Sequence, residues 1–315
     1  MADSVKTQSY ISVWKEKFYR RRFEWPTLAL LAACYFAWGL GTTWLATLWL
    51  PAAIVLTVLA IALHSSLSHE MIHGHPFRSK YLNEALVFPA LTLLIPYRRF
   101  RDTHLDHHQD AILTDPYDDP ESNYLDPEVW ATLGPVRRAV LSFNNTLAGR
   151  LLIGPAVGQV AFMASDWRAI RNRKPGVLSG WLWHLPAVAV VAAWLVFVAD
   201  MPVWAYLVSA YAALAVLKIR TFLEHQAHER ARGRTVIIED RGILAFLFLN
   251  NNLHVVHHMH PRTPWYKLPE LYRDNRDRYL ARNDGYRYAS YAEIFRRHLF
   301  RAKDPVPHPL WSRSK

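Results

Sequence analysis

The sequence predicts an all-α integral membrane protein: a four-helix bundle with a cytoplasmic helical cap that carries a histidine-ligated dimetal site. Three observations predict it. Apolar residues are 51% of the 315 and are gathered into long runs rather than spread evenly. Basic residues fall to one side of those runs, and the sixteen histidines collect mostly in tight groups near the run ends.

The first run, residues 26–50, is long enough to cross ~30 Å of hydrocarbon at about 1.5 Å per residue. Pro51 breaks it, and a second run, 51–70, turns polar at Ser65 and Ser68 just before a histidine group. Runs 177–198 and 201–220 are separated by a few residues around Asp200 and predict a tight helical hairpin. The stretch 82–97 is interrupted by Pro89 and Pro96 and reads as an interfacial or re-entrant segment. The patch 243–249 is too short to span and is expected to rest at the interface or against the bundle. The expected division is therefore a cytoplasmic N-terminal segment 1–25, a membrane catalytic domain 26–264, and a cytoplasmic helical tail 265–315 covering the site. Trp25, Trp44, Trp49, Trp181, Trp183 and Trp204 read as interfacial belting.

Charge sets the expected orientation. Arg20, Arg21 and Arg22 precede the first run, and Arg98, Arg99, Arg101, Arg137, Arg138 and the 171–174 group fill the long polar region between the second and third. Arg220 and an Arg-rich tail follow the fourth, whereas the turns near Pro51 and Asp200 carry no Lys or Arg. The positive-inside rule then places the N-terminus, the long loop, the C-terminus and the site on the cytoplasmic side of a multi-pass protein, as in a bacterial inner membrane. The run after the basic N-terminus is too long for a signal-peptide core, so it reads as a retained anchor. With no nucleic-acid-binding motif, the net charge of +11 reads as loop charge and nucleic acid is excluded as a partner. The single cysteine, Cys34, lies in an apolar run, which excludes an internal disulfide, an iron–sulfur cluster or a rubredoxin-type centre. Any electron donor must be a separate protein.

The histidine spacing carries the chemistry. His69-Glu-Met-Ile-His73 puts two imidazoles four apart on one helical face, and His104-Leu-Asp-His107-His108 sets three at i, i+3 and i+4. His254-Val-Val-His257-His258 repeats that spacing, and Glu224-His225 lies just beyond the fourth run. The orientation derived from Arg and Lys alone puts all the groups on one side, so they can meet. Imidazoles this dense repel one another if protonated and are left with unpaired nitrogens if neutral and buried, which makes a metal the natural partner. A zinc ion takes about three or four ligands, so this many histidines point to two ions. Imidazole suits zinc, copper, iron and nickel alike.

The order HExxH, HxxHH and a later HxxHH resembles the three histidine boxes of the membrane fatty acid desaturase and alkane hydroxylase superfamily, over about residues 64–264. The resemblance implies a non-heme diiron centre using O2 as co-substrate. Its implied ligands are His69, His73, His104, His107, His108, His254, His257 and His258, with His225 as the ninth. It implies a fatty acid desaturase-like oxidoreductase placing a double bond in a fatty acyl or related lipid chain. The partners implied are a long hydrophobic substrate and a separate electron donor of the ferredoxin or rubredoxin kind with its reductase. The second box and the His257-His258-Met-His-Pro261 ending are similar to desaturases, whereas Glu70, Glu224-His225 and Thr114-Asp-Pro-Tyr-Asp-Asp-Pro120 resemble alkane hydroxylases, and carotenoid ketolases share parts. A hydroxylase, monooxygenase or ketolase acting on alkyl, acyl or carotenoid substrates is therefore the alternative.

Glu70 and Glu224, with Asp102, Asp106 and Asp110, sit beside implied ligands, where a carboxylate can accept the second imidazole N–H. Asn250, Asn251 and Asn252 are candidates to hold a water or cap a helix before the last group. His64, His75, His228 and His260 read as supporting or helix-end residues, His184 as a packing residue, and His298 and His308 as solvated. Two other classes compete. An intramembrane zinc protease would use His69 and His73 as ligands and Glu70 as base, but leaves both HxxHH groups without a role. A metal transporter would place its ligands near the bilayer midplane rather than at run ends.

Overall fold

The computed structural model describes residues 24–109 and 111–311; the expectations attached to Arg20, Arg21, Arg22 and Asp110 lie outside the described residues. Helices α1 (Trp25–Thr42) and α2 (Trp44–Leu48) follow one another, and α3 (Leu50–Ile72) returns across the bundle. Pro26 and Pro51 stand in the first turns of α1 and α3, where a missing N–H costs nothing and a fixed φ suits the helix. Next come α4 (Lys80–Leu86) and α5 (Tyr97–His107), then α6 (Pro127–Thr132), α7 (Pro135–Asn144), α8 (Leu147–Leu152) and α9 (Gly154–Arg171). The hairpin is α10 (Val177–Phe197) and α11 (Val203–Thr221). The cap is built from α12 (Ile243–Leu247), α13 (His254–Met259), α14 (Leu268–Asp274), α15 (Arg276–Arg282) and α16 (Tyr291–His298). Two short strands, β1 (Ile237–Ile238) and β2 (Arg287–Tyr288), pair in parallel within it.

Among the described residues four helical stretches are long and apolar enough to cross a membrane: Trp25–Leu48, Leu50–Ile72, Val177–Phe197 and Val203–Thr221. Their outward faces carry large bare side chains, with Phe36 72% and Phe197 83% exposed, as lipid-facing surfaces require. Helix α3 is the centre of the bundle and packs against α1 on one side and α11 on the other. Small buried residues, among them Ala53, Ala60, Ala205, Ala210 and Ala213, let the backbones approach. At Gly41 the approach is so close that a Cβ would lie 2.7 Å from Thr57 Oγ1. At the end away from the histidines, the Asp200 and Met201 amides donate to the Thr42 carbonyl at 3.0 and 2.9 Å, tying the hairpin turn to the end of α1.

The stretch 82–97 is held inside the bundle. The Ala90 amide donates to Ala187 O at 3.2 Å, Tyr206 Oη to Leu91 O at 2.9 Å and His184 Nε2 to Leu93 O at 3.0 Å. Backbone groups freed by Pro89 and Pro96 thus find partners on α10 and α11, as non-helical backbone at membrane depth must, and His184 clasps this segment. The long polar region between the second and third runs is more structured than its composition implies. Helix α9 packs on α10 and α11 while leaving Val160, Met163 and Trp167 exposed on its other side. Its apolar positions are mixed with Asp166, Arg168 and Arg171, which masks it in a hydropathy reading.

Candidate metal centre

Each histidine group sits where a helix ends. Helix α3 delivers His69 from its last turn and His73 at its C-cap, and Gly74 at φ +94 stops the helix there, its amide bonding Met71 O. Helix α5 carries His104 and His107, with His108 as its C-cap. Before α13 the chain turns sharply, with Leu249 (φ 52) and Asn250 (φ 57) in the left-handed region. Side-chain amides hold that turn: Asn250 Nδ2 donates to Trp265 O at 3.0 Å, and Asn252 Nδ2 to Ile238 O at 2.6 Å. His225 follows α11 and is fixed by a backbone bridge to Thr235.

All nine implied ligands converge, and they converge as two groups. One nitrogen from each of His69, His73, His104, His108 and His257 lies within 4.8 Å of the others in its group, and the same holds for His107, His225, His254 and His258. Each HxxHH triplet is shared between the groups. On α5 the i and i+4 rings, His104 and His108, join the first group and the i+3 ring, His107, joins the second. On α13 the assignment is reversed, with His254 and His258 in the second group and His257 in the first. Residues four apart point along one face and the residue three along is rotated off it, so the triplet reaches two centres at once.

The polar partners of the rings decide their tautomers. His107 Nδ1–H donates to Asp119 Oδ1 at 2.7 Å, His104 Nδ1–H to Glu121 Oε1 at 3.0 Å and His254 Nδ1–H to Asn251 Oδ1 at 3.1 Å. Each bond leaves the Nε2 lone pair facing inward. His107 Nε2 and His254 Nε2 then stand 2.9 and 3.1 Å from His225 Nε2, and His104 Nε2 stands 3.1 Å from His73 Nε2 and 2.9 Å from His108 Nε2. Lone pairs brought this close need a cation between them. His69 Nε2 adds to this: it is buried with no hydrogen-bond partner. Burial, reinforced by the neighbouring imidazoles, holds His73, His225, His254 and His257 well below the ordinary histidine range, so they are neutral and ligand-competent. His107 goes the other way: burial alone would lower it, but Glu121 and Asp119 outweigh that and raise it to about 9, so a metal at its Nε2 would displace a proton while Nδ1–H stays on Asp119. The residues therefore fit two bound metal ions.

The profile of the fatty acid desaturase family matches residues 43–290. The chain is a member of that family. No curated protein matches it. As a desaturase-family protein with four membrane-length helices, it is a membrane-associated, lipid-acting oxidoreductase of the desaturase and hydroxylase type.

Supporting carboxylates in this desaturase-family site are Glu224, among those singled out from the sequence, and two more, Asp119 and Glu121. Glu224 ion-pairs with Arg220 Nε at 3.2 Å and accepts from Asn251 Nδ2 at 3.2 Å, so it steadies His254 through Asn251. Glu70 accepts from the Trp265 amide at 2.8 Å and lies 4.0 Å from Nε2 of His75, whose Nδ1 donates to Glu24 Oε1 at 2.7 Å. It braces α3 against the cap and the start of α1. Asp102 pairs with Arg101 and Arg99. The carboxylates that orient ligands are Asp119 and Glu121. Asp119 belongs to the acidic stretch noted after the second box, whereas Glu121 was missed; the clue was the density of acids, Asp115, Asp118, Asp119 and Glu121, close behind a histidine box. Asn251, one of the three asparagines, supports a ligand directly.

Among the described residues His64, His75, His228 and His260 belong to neither group. His64 Nε2 bonds Tyr35 Oη at 3.1 Å and His228 folds over its own loop at Arg230. The expectation that His298 and His308 are solvated is corrected. His308 is buried and donates to Thr114 Oγ1 at 3.1 Å, and His298 is half-buried against Tyr288 Oη at 3.1 Å. Both lie in the last stretch of chain, which is drawn inward. His308 N and Val306 O bond Leu125, the Ala148 amide donates to Leu299 O, and Lys303 Nζ donates to the His225 carbonyl. Long-range pairing of this kind leaves no local signal.

A cavity of about 650 Å³ opens beside the centre. His107 and His225 border it at one end with Glu121 and Glu224, and Leu91, Ile95, Phe162, Trp183 and Leu214 form apolar wall.

Proposed function

We propose that this protein introduces a double bond into a fatty acyl or related lipid chain, using two iron ions held by the nine histidines, O2 as co-substrate and electrons from a separate ferredoxin- or rubredoxin-like donor. The observation that carries this reading is the division of the nine rings into five and four beside an apolar-walled cavity. When bound, two irons supply the reductive activation of O2 needed to remove hydrogen from an unactivated C–H bond. The protein's part is positioning. Asp119, Glu121 and Asn251 fix ring orientation, helix ends aim the ligands, and the apolar wall aligns a chain while excluding water.

The same reading puts the centre and both termini on the cytoplasmic face of a bacterial inner membrane, with residues 26–264 as the catalytic unit and 265–315 as its cover. Its support is the basic residues of the long loop and tail. A donor would dock on that basic face. Hydroxylation or ketolation is the second reading, favoured by the role of Asp119, which lies in the stretch that resembles alkane hydroxylases.

Mass spectrometry of lipids from a host expressing the protein, with metal analysis of the purified chain, tests this. Lipids lacking two hydrogens, with about two irons per chain, are expected. Added hydroxyl or keto groups would select the second reading, and zinc without any lipid oxidation would overturn both.

A further inference from the structure

The lining of the cavity also carries cations, Arg150 and Lys218 among them. Arg150 on α8 is 5% exposed, and its Nη1 donates to Asn123 Oδ1 at 2.6 Å while its Nε is buried with no partner. Lys218 on α11 borders the same space, and among the described residues no carboxylate lies within 4.0 Å of either cation. Asn144 Oδ1 is also buried without a partner.

Two glycines of α9 keep this corner open. A Cβ at Gly158 would lie 3.0 Å from Lys218 Nζ, and one at Gly154 would lie 3.3 Å from Asn144 Oδ1 and 3.6 Å from Arg150 Cδ. The nearby acids are already engaged, Glu121 with His104 and Glu224 with Arg220 and Asn251. Burial pushes the Arg150 guanidinium down to about 10, which leaves it a cation at neutral pH. A buried guanidinium without a paired carboxylate is costly and is kept where a ligand supplies the missing anion.

We propose that Arg150 and Lys218 bind the anionic end, a carboxylate or a phosphate, of a single-chain amphiphile whose tail lies along the cavity's apolar wall. This rests on the lipid-oxidase reading and narrows it. A neutral alkane or carotenoid offers nothing to the two cations, whereas an ionised head group completes charge-assisted hydrogen bonds to both.

The test uses the full-length, metal-loaded protein in detergent with three probes of equal chain length: hexadecanoic acid, hexadecyl phosphate and methyl hexadecanoate. Binding is read by quenching of tryptophan fluorescence at a pH where the acidic probes are ionised. At least one anionic probe is expected to bind about tenfold or more tightly than the ester. Preference for the acid identifies a carboxylate head, and preference for the phosphate a phosphorylated one. Arg150→Gln and Lys218→Met should each erase the preference, and Lys218→Arg should keep it. Equal binding of ester and anions by the unaltered protein, or a preference that survives both neutralising changes, overturns the proposal. Product analysis separates the two readings. Oxidation of a fed lipid without head-group selectivity would sink only the anion site. Selectivity without any oxidation would keep the anion site and sink the oxidase.

Discussion

The two histidine groups are built from overlapping pieces of chain yet differ in anchorage and surroundings. The five-ring group takes two members from the end of α3, the central helix of the bundle, packed between α1 and α11. The four-ring group takes none from α3; its members come from α5, the loop after α11 and α13. Three of its four rings are held through their outer nitrogens, His107 by Asp119, His254 by Asn251 and His225 by Thr235 Oγ1 at 3.3 Å, as His104 of the five-ring group is by Glu121. His107 and His225 also front the cavity, which no member of the five-ring group does. A central helix anchors part of one group, whereas the group that borders the cavity has fewer rings and leans more on hydrogen bonds to its outer nitrogens for its shape.

The largest effect should come from removing a ring. His254→Ala is expected to lose about one metal equivalent per chain and essentially all lipid oxidation, read by metal analysis and product mass spectrometry. His69→Ala, with four rings left in its group, should retain more metal. The comparison breaks if the losses are equal.

Next comes support. Asp119→Asn should weaken metal retention by about 10- to 100-fold in a chelator competition, because the His107 ring loses its charged acceptor. Thr235→Val, which removes only a 3.3 Å contact to His225, should do less. The reverse order would show that anchorage of the four-ring group lies elsewhere. Glu70→Ala provides the contrast on the five-ring side. Stranding the Trp265 amide should cost about 1–3 kcal/mol in thermal unfolding while metal content is unchanged. If metal is lost at unchanged stability, Glu70 serves the centre directly.

The smallest effect is expected in the cap, away from both groups. Hydrogen bonds from Arg276, then Tyr272 and Arg287, hold the Glu239 carboxyl down at about 2 against an ordinary value of 4.5. Because its folded-state value is depressed, its contribution is present above pH 4.5 and fades as the pH falls toward 2. Its partners are partly exposed, so solvent screens the gain. Glu239→Gln should flatten the acid limb of a stability-against-pH curve in that window, without changing metal content at neutral pH.

Much of this organisation is legible in the residues themselves. Apolar runs of membrane length, the i, i+3, i+4 histidine spacing and one isolated cysteine determined a helical membrane protein with clustered ring ligands and no disulfide, because helix periodicity and desolvation act locally and leave local patterns. Which ring joins which group was beyond the sequence. The split of His104 and His108 from His107 depends on how α5 is rotated against α3 and α13, and that is settled by packing. The same is true of Glu70, adjacent to His69 in sequence yet turned toward Trp265, and of Asp119 and Glu121, which reach the rings only because the loop after α5 folds back. His308 looked solvated because its partners are Thr114 and the backbone of Leu125. Spacing along a helix determines which side chains share a face; only tertiary packing decides what that face meets.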